Sequence, residues 1–173
     1  KNKIDVHQGV GRIAGAGQVE VTGSAGAKML TAGAIVIATG SDVARLPGIT
    51  IDEKRIVSST GALTLSQVPK HLVVVGAGVI GLELAQALHR LGVRVRVYGR
   101  GEQVSPLTDP ALQALARQVF GAELPMSLDL ARIEPRRDGD GVLVRATGRD
   151  GGVHEERFEW LLAATGRRPN VEH

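Results

Sequence analysis

His71-Leu72-Val73-Val74-Val75-Gly76-Ala77-Gly78-Val79-Ile80-Gly81-Leu82-Glu83 is the stretch that decides the fold. Leu72–Val75 is apolar and largely β-branched, the pattern of a strand buried on both faces. A Gly-x-Gly-x-x-Gly turn follows and opens into a helix expected over Val79–Leu91, with Gly92 as its stop. A second strand is expected over Val93–Tyr98. The three glycines then differ in role. Gly76 permits the tight turn, Gly78 lets a pyrophosphate approach the backbone, and Gly81 lets helix and strand pack closely. The helix start at Val79-Ile80 faces the phosphates with free N–H groups and partial positive charge. The glycine pattern alone would suit an ordinary strand-turn-helix. The strand before it, and the helix and strand after it, point to a dinucleotide site.

The end of the second strand departs from the usual pattern. Sites that prefer NAD place Asp or Glu roughly 20 residues past the glycines, where the carboxylate accepts hydrogen bonds from the adenosine ribose. Here the chain reads Tyr98-Gly99-Arg100. Gly99 stands at the acidic position, and Arg100 brings a charge suited to a 2′-phosphate. NADP then becomes the favoured cofactor, or the usual NAD preference is lost. A solvated loop cation is the plainer account of Arg100.

Composition excludes other chemistry. The 173 residues suffice for one sizeable domain plus a fragment. Lys and Arg total 21 against 18 acidic residues, a small surplus rather than a basic patch. With 2% aromatic residues and no interleaved basic stripe, nucleic-acid binding is not expected. No apolar run approaches the length that spans a bilayer, and no signal peptide is evident, so a cytoplasmic location is expected. The absence of cysteine removes disulfide and thiol chemistry from this chain. The five histidines lack ligand spacing, so no metal site is expected, and no catalytic constellation is found.

Three zones separate along the chain. In residues 1–40, strands are expected at Ile4–Val10, Gln18–Thr22 and Ala34–Ala38, joined by turns at Gly15–Gly17 and Gly23–Gly26 as an antiparallel meander. Residues 41–70 read as a connector, with a Pro47-Gly48 turn and a short helical stretch at Ser58–Leu65. Residues 71–166 alternate strand and helix, which argues for a parallel sheet with right-handed crossovers. A second helix is expected over Ala111–Phe120, with Asp109 as N-cap, Pro110 at its first position, an apolar stripe of Leu112, Leu115 and Val119, and Gly121 at its end. Strands follow near Leu124–Leu130 and Ala131–Pro135. Hairpin turns at Asp138–Gly141 and Asp150–Gly152 flank Val142–Thr147 and lead to Val153–Phe158. Trp160–Ala164 closes the pattern as a buried strand. The fold class is therefore α/β, a Rossmann-like domain in which a β-meander replaces the third crossover helix.

Five stretches, in order, carry a family resemblance: Gly11-Arg12-Ile13-Ala14, Ile35–Ser41, Arg55–Leu63, Val75–Glu83 and Ala164–Asn170. With them the chain resembles the FAD-dependent pyridine nucleotide-disulfide oxidoreductases, and the Ile56–Leu63 stretch is most similar to the dihydrolipoamide dehydrogenase branch. The resemblance implies four segments. Residues 1–40 would be the last strands of an FAD-binding domain, 41–70 a connector, 71–166 the NAD(P)-binding domain and 167–173 the start of the return to the FAD domain. It implies that the redox Cys-x4-Cys and the first FAD-binding glycines precede residue 1. The dimer-interface domain and its His-Glu pair would follow His173. The chain is then expected to be a central excerpt, inactive by itself in disulfide chemistry, within a homodimeric flavoenzyme that passes hydride between NAD(P)H and FAD.

The same resemblance assigns residues. Gly76, Gly78 and Gly81 would cradle the pyrophosphate, Ile80 would pack near the nicotinamide, and Glu83 matches a position that meets the carboxamide. Read locally, Glu83 is instead a first-turn acid favoured by the helix dipole. Leu130 matches a residue flanking the adenine, though an apolar strand residue is also ordinary core. Gly166 ends the last strand at the crevice, and Thr39, Gly40 and Ser41 match flavin-side contacts. Gly99-Arg100 departs from the dihydrolipoamide dehydrogenase pattern and resembles NADPH-using glutathione and mercuric reductases, so NAD and NADP both stay open. A non-catalytic dinucleotide-binding module is the alternative to an enzyme.

Overall fold

Gln18–Gly23 is the middle strand of an amino-terminal antiparallel meander in the computed structural model, which describes residues 3–44 and 49–171. The expected Pro47-Gly48 turn lies outside those residues. By chain contacts the molecule divides into two units, Lys1–Asp42 with Pro169–His173, and Val43–Arg168.

The first unit contains β1 (Val10–Gly15), β2 (Gln18–Gly23) and β3 (Gly26–Thr31). Val19 faces Ile13 on one side and Leu30 on the other. These strands lie partly away from their expected places. Residues 4–8 are not strand, and pairing begins at Val10. Ala34–Ala38 is not strand either; Val36 is 88% exposed. The third strand instead follows directly from the Gly23–Gly26 turn, because Gly23 pairs with Gly26 and closes a two-residue hairpin. Ala27-Lys28-Met29 lacks the β-branched alternation that marks a strand, so the hairpin, rather than propensity, extends it.

In the second unit, a parallel sheet is built from β5 (Ile56–Val57), β6 (His71–Val75), β7 (Arg94–Tyr98), β8 (Met126–Ser127) and β12 (Trp160–Ala163), in the order β5-β12-β6-β7-β8. The stretch expected as a connector thus supplies an edge strand. It also supplies α1 (Ser59–Leu63), whose Ser58 cap accepts from the Gly61 N–H. Leu72, Val74, Val95, Val97 and Leu162 point to one face, against Leu82, Ala85 and Leu88 of α2 (Val79–Arg90). Val73, Val75, Tyr98, Leu161 and Ala163 point to the other. There they meet Val142, Val144, Ala146 and Phe158 from an antiparallel sheet of β9 (Leu130–Asp138), β10 (Gly141–Gly148) and β11 (Val153–Phe158). Burial on both faces is why Leu72–Val75 reads as a continuous apolar run. The helix on one face and the meander on the other establish the α/β class read from sequence.

The helix α3 (Pro110–Glu123) departs from expectation in extent and in facing. Asp109 does cap it, accepting from the Ala111 and Leu112 amides at 2.8 and 3.0 Å. Gly121 lies inside the helix, which runs on to Glu123; there the carboxylate takes Gln86 and Arg90 of α2 at 2.7 Å each. The stripe expected inside, Leu112, Leu115 and Val119, is more than half exposed. The inward row is Gln113, Ala116 and Phe120. Buried Gln113 fixes that rotation by bonding the Val104 amide and the Val104 and Leu107 carbonyls. The strand expected over Leu124–Leu130 is only β8, and β9 begins at Leu130.

Two short strands, β4 (Ser41–Val43) and β13 (Arg167–Pro169), pair with each other. Among the described residues, no helix is long and apolar enough to cross a membrane.

Candidate functional site

Gly76 ends β6 with φ at +116°, and a Cβ there would strike the Ala164 carbonyl. Only glycine meets both demands. Its N–H donates to the Tyr98 carbonyl at 2.7 Å, which holds the turn against the end of β7. Gly81 sits where a Cβ would strike the Gly76 carbonyl, so helix α2 lies directly on the turn. Gly78 differs from both. Its backbone is extended, with φ at −77° and ψ at 179°, and a Cβ built on it would meet nothing within 4 Å. The space over Gly78 is open.

That space adjoins an uncapped helix start. Gly78 is the N-cap of α2, no side chain caps the helix, and no acid lies in its first turn. The helical ladder opens with Leu82 N–H donating to the Gly78 carbonyl at 3.0 Å. The amides of Val79, Ile80 and Gly81 precede that ladder, as at any helix amino end. An anion at Gly78 would meet these amides and the positive end of the helix dipole.

Two crevices meet at this turn, at the carboxyl ends of β6, β7 and β12, where open α/β sheets bind ligands. The first, about 560 Å³, is lined by Gly76, Gly78, Val79, Ile80, Pro106 and Gly166, among others. Its wall is largely apolar, and the Val79 and Ile80 side chains are part-exposed. The second, about 410 Å³, is lined by Gly76, Gly99, Arg100, Arg132 and Glu134 over a floor of Tyr98. Gly76 and Thr165 border both. Tyr98 is buried and its hydroxyl has no hydrogen-bond partner among the described residues; burial pushes the phenol pKa up.

Gly99 is tied down on both sides, its N–H to the Ser127 carbonyl at 2.9 Å and its carbonyl to the Leu130 N–H at 3.2 Å. A Cβ there would stand 3.3 Å from Leu128 Cδ2 and 3.7 Å from Ala77 Cβ. Arg100 is exposed, and its guanidinium makes no ion pair among the described residues. Its carbonyl accepts from Arg149, whose Nε in turn pairs with Asp129 at 2.6 Å.

The structure therefore brings together Gly76, Gly78, Val79, Ile80 and Gly166 at one crevice, and Gly76, Gly99 and Arg100 at the other, with Gly81 beneath. Besides Gly81, two expected residues border neither. Leu130 is buried core beside Tyr98 and Phe158. Glu83 is exposed in the second turn of α2, not the first, which removes the local first-turn account of it. Thr39 donates its hydroxyl proton to the Asn170 carbonyl, and Asn170 donates its N–H to Gly40 at 3.0 Å. In the second unit, Thr165 donates to the Ala44 carbonyl at 3.2 Å and Ala44 to Gly166 at 2.9 Å. Sequence reading missed Thr165, Pro106, Arg132 and Glu134. Thr165 carries a signal, since it lies just past the carboxyl end of a parallel strand; Arg132 does not, because its side depends on the β9 register. No group of His, Asp and Glu that could hold a metal occurs among the described residues.

Comparison with known proteins gives the family of the chain. A family model described as pyridine nucleotide-disulphide oxidoreductase matches residues 1–173. Dihydrolipoyl dehydrogenase 3 of Pseudomonas putida is 44% identical over 176 residues, spanning 98% of this chain and 37% of that protein. Leghemoglobin reductase of Glycine max is 37% identical, over 98% of this chain and 33% of that protein. Among solved structures, LpdA from Mycobacterium tuberculosis superposes with a TM-score of 0.69 at 28% identity, covering 98% of this chain and 36% of that one. The Cu(II) complex of the flavoprotein disulfide reductase RclA from Escherichia coli gives 0.73 at 24% identity, over 98% and 38%, a likeness of fold. The chain thus spans about a third of the length of the relatives it matches.

Proposed function

The chain belongs to the pyridine nucleotide-disulphide oxidoreductase family, and from that premise we propose that residues 71–166 bind the nicotinamide dinucleotide of an FAD-dependent, dihydrolipoyl dehydrogenase-like oxidoreductase. The observation that carries the reading is the uncapped amino end of α2 beneath the open space at Gly78. A pyrophosphate fits there: it supplies the negative charge and acceptor oxygens that the Val79, Ile80 and Gly81 amides lack from any cap. A side chain at Gly78 would fill the approach.

The two crevices then take the two halves of the dinucleotide. Gly99 and Arg100 stand on the adenosine side, at the end of β7. Val79, Ile80 and Gly166 line the other, where an apolar wall excludes water from a nicotinamide ring. The nicotinamide, when bound, supplies hydride transfer, and this chain's part is to bind and orient it. Ile80 shapes that wall. Glu83, one helical turn beyond Val79 and exposed, is the residue proposed for the carboxamide. Leu130 supports Tyr98 from the core rather than touching either crevice.

In this reading residues 1–40 and 167–173 belong to the FAD domain, with Thr39, Gly40 and Ser41 on the flavin side, and residues 41–70 lead from it into the dinucleotide domain, to whose sheet they contribute β5. The cysteine-free sequence holds no dithiol, so in this reading disulfide chemistry falls to the rest of the flavoenzyme, which is proposed to be a homodimer. Calorimetric titration of the full-length protein with NADH and with NADPH tests the proposal. Saturable binding of at least one is expected; binding of neither refutes it.

A further inference from the structure

Arg132 lies on β9, in the antiparallel sheet, yet it borders the same crevice as Gly99 and Arg100 at the end of the parallel sheet. Two arginines from separate elements, Arg100 just past β7 and Arg132 on β9, thus border a crevice in which Glu134 is the single acidic residue among the described residues that line it. Arg100 has no ionic partner among the described residues. Among the described residues Arg132 is held only by Glu134 at 3.6 Å, with both side chains substantially exposed, a contact too solvated to fix the arginine in place. The neighbouring acid, Asp129, is already engaged by Arg149 at 2.6 Å. At Gly99, the position from which a carboxylate would address a ribose diol, there is no side chain at all.

Resting on the dinucleotide reading above, we propose that Arg132 is a specificity-determining residue that, with Arg100, makes this site prefer a dinucleotide phosphorylated on its adenosine ribose. A phosphate dianion offers acceptor oxygens to two planar guanidiniums approaching from different elements, whereas a ribose diol needs an acceptor. Glu134 is the one group placed to supply such an acceptor, and its contact with Arg132 makes the two residues competitors. Binding of the phosphate draws Arg132 away from Glu134. Removing the Glu134 charge therefore strengthens binding of the phosphorylated form.

The test titrates the full-length protein with NADPH and NADH by calorimetry, for the wild type, Arg132→Ala and Glu134→Gln. The expected result is NADPH at least ten-fold tighter than NADH. Arg132→Ala should reduce that ratio several-fold through NADPH alone, and Glu134→Gln should raise it. Raising ionic strength should weaken NADPH binding more than NADH binding. Equal or tighter NADH binding overturns this inference while leaving dinucleotide binding standing, and so does an unchanged ratio in Arg132→Ala. Binding of neither dinucleotide overturns both readings.

Discussion

Gly78→Val separates binding from folding at a single atom position. The Gly78 backbone is already extended, and nothing lies within 4 Å of the Cβ direction, so valine fits the unliganded protein without strain. Neither residue supplies a capping oxygen, but glycine is preferred over valine at an N-cap, so the change should cost about 1 kcal/mol of stability. The bulk would stand where a pyrophosphate approaches the Val79, Ile80 and Gly81 amides. Hydrogen bonds to a charged group contribute about 1.5–3 kcal/mol each, so losing one or two weakens binding from roughly ten-fold to roughly ten-thousand-fold. Gly81→Val is the contrast: its Cβ would strike the Gly76 carbonyl and stand 3.2 Å from Ala164 Cβ, an overpacking cost of about 1–3 kcal/mol or more. Urea denaturation gives the two stabilities, and calorimetry gives the affinity of Gly78→Val for its preferred dinucleotide. A folded Gly78→Val protein that binds as tightly as wild type would refute the placement of the pyrophosphate. A Gly78→Val protein as unstable as Gly81→Val would refute the open space.

Three further outcomes test the fold. Asp109→Ala removes both cap bonds of α3 and should lower stability by about 1 kcal/mol in a urea titration. Leu162→Ala empties a fully buried site on β12, between Val74 and Val57, and should cost about 2–5 kcal/mol by the same assay. Asp52 is pushed up by burial, but its bonds from the Ile56, Arg55 and Lys54 amides and the charge of Arg137 outweigh that and hold its pKa below the ordinary carboxylate value. A depressed folded pKa stabilises above the unfolded value and loses that contribution as pH falls through the folded one. Stability measured from pH 5 downward should therefore fall less steeply in Asp52→Asn than in wild type.

Legibility followed the range of the interactions. The β6–α2 turn was readable because its three glycines fall at a fixed local spacing between strand and helix, although the contact that demands glycine at position 76 is the distant Ala164 carbonyl. The Asp138–Gly141 and Asp150–Gly152 turns were readable because glycines mark hairpins locally. The facing of α3 was not. Its sequence holds two rows at helical spacing, Leu112-Leu115-Val119 and Gln113-Ala116-Phe120, and the apolar rule selects the wrong one. What turns the second row inward is a glutamine satisfying the backbone of residues 104 and 107, a tertiary contact with no periodic signature. In the site, Gly99 and Arg100 were legible from their distance past the glycines. Arg132 and Glu134 were not, since which side chains of β9 reach the β7 end follows from pairings such as Arg132 with Thr147.

The position of β12 also governs the order in which the molecule can be assembled. It fills the slot between β5 and β6, yet it is made after them and after the whole meander; Leu161 must find both Ile56 and Val73. While the chain emerges from the ribosome, β5 and β6 therefore present raw, apolar edges toward each other with nothing between them. Contacts so distant in sequence slow the search. Truncation before Trp160 would leave a split sheet, prone to recruit a strand from another molecule.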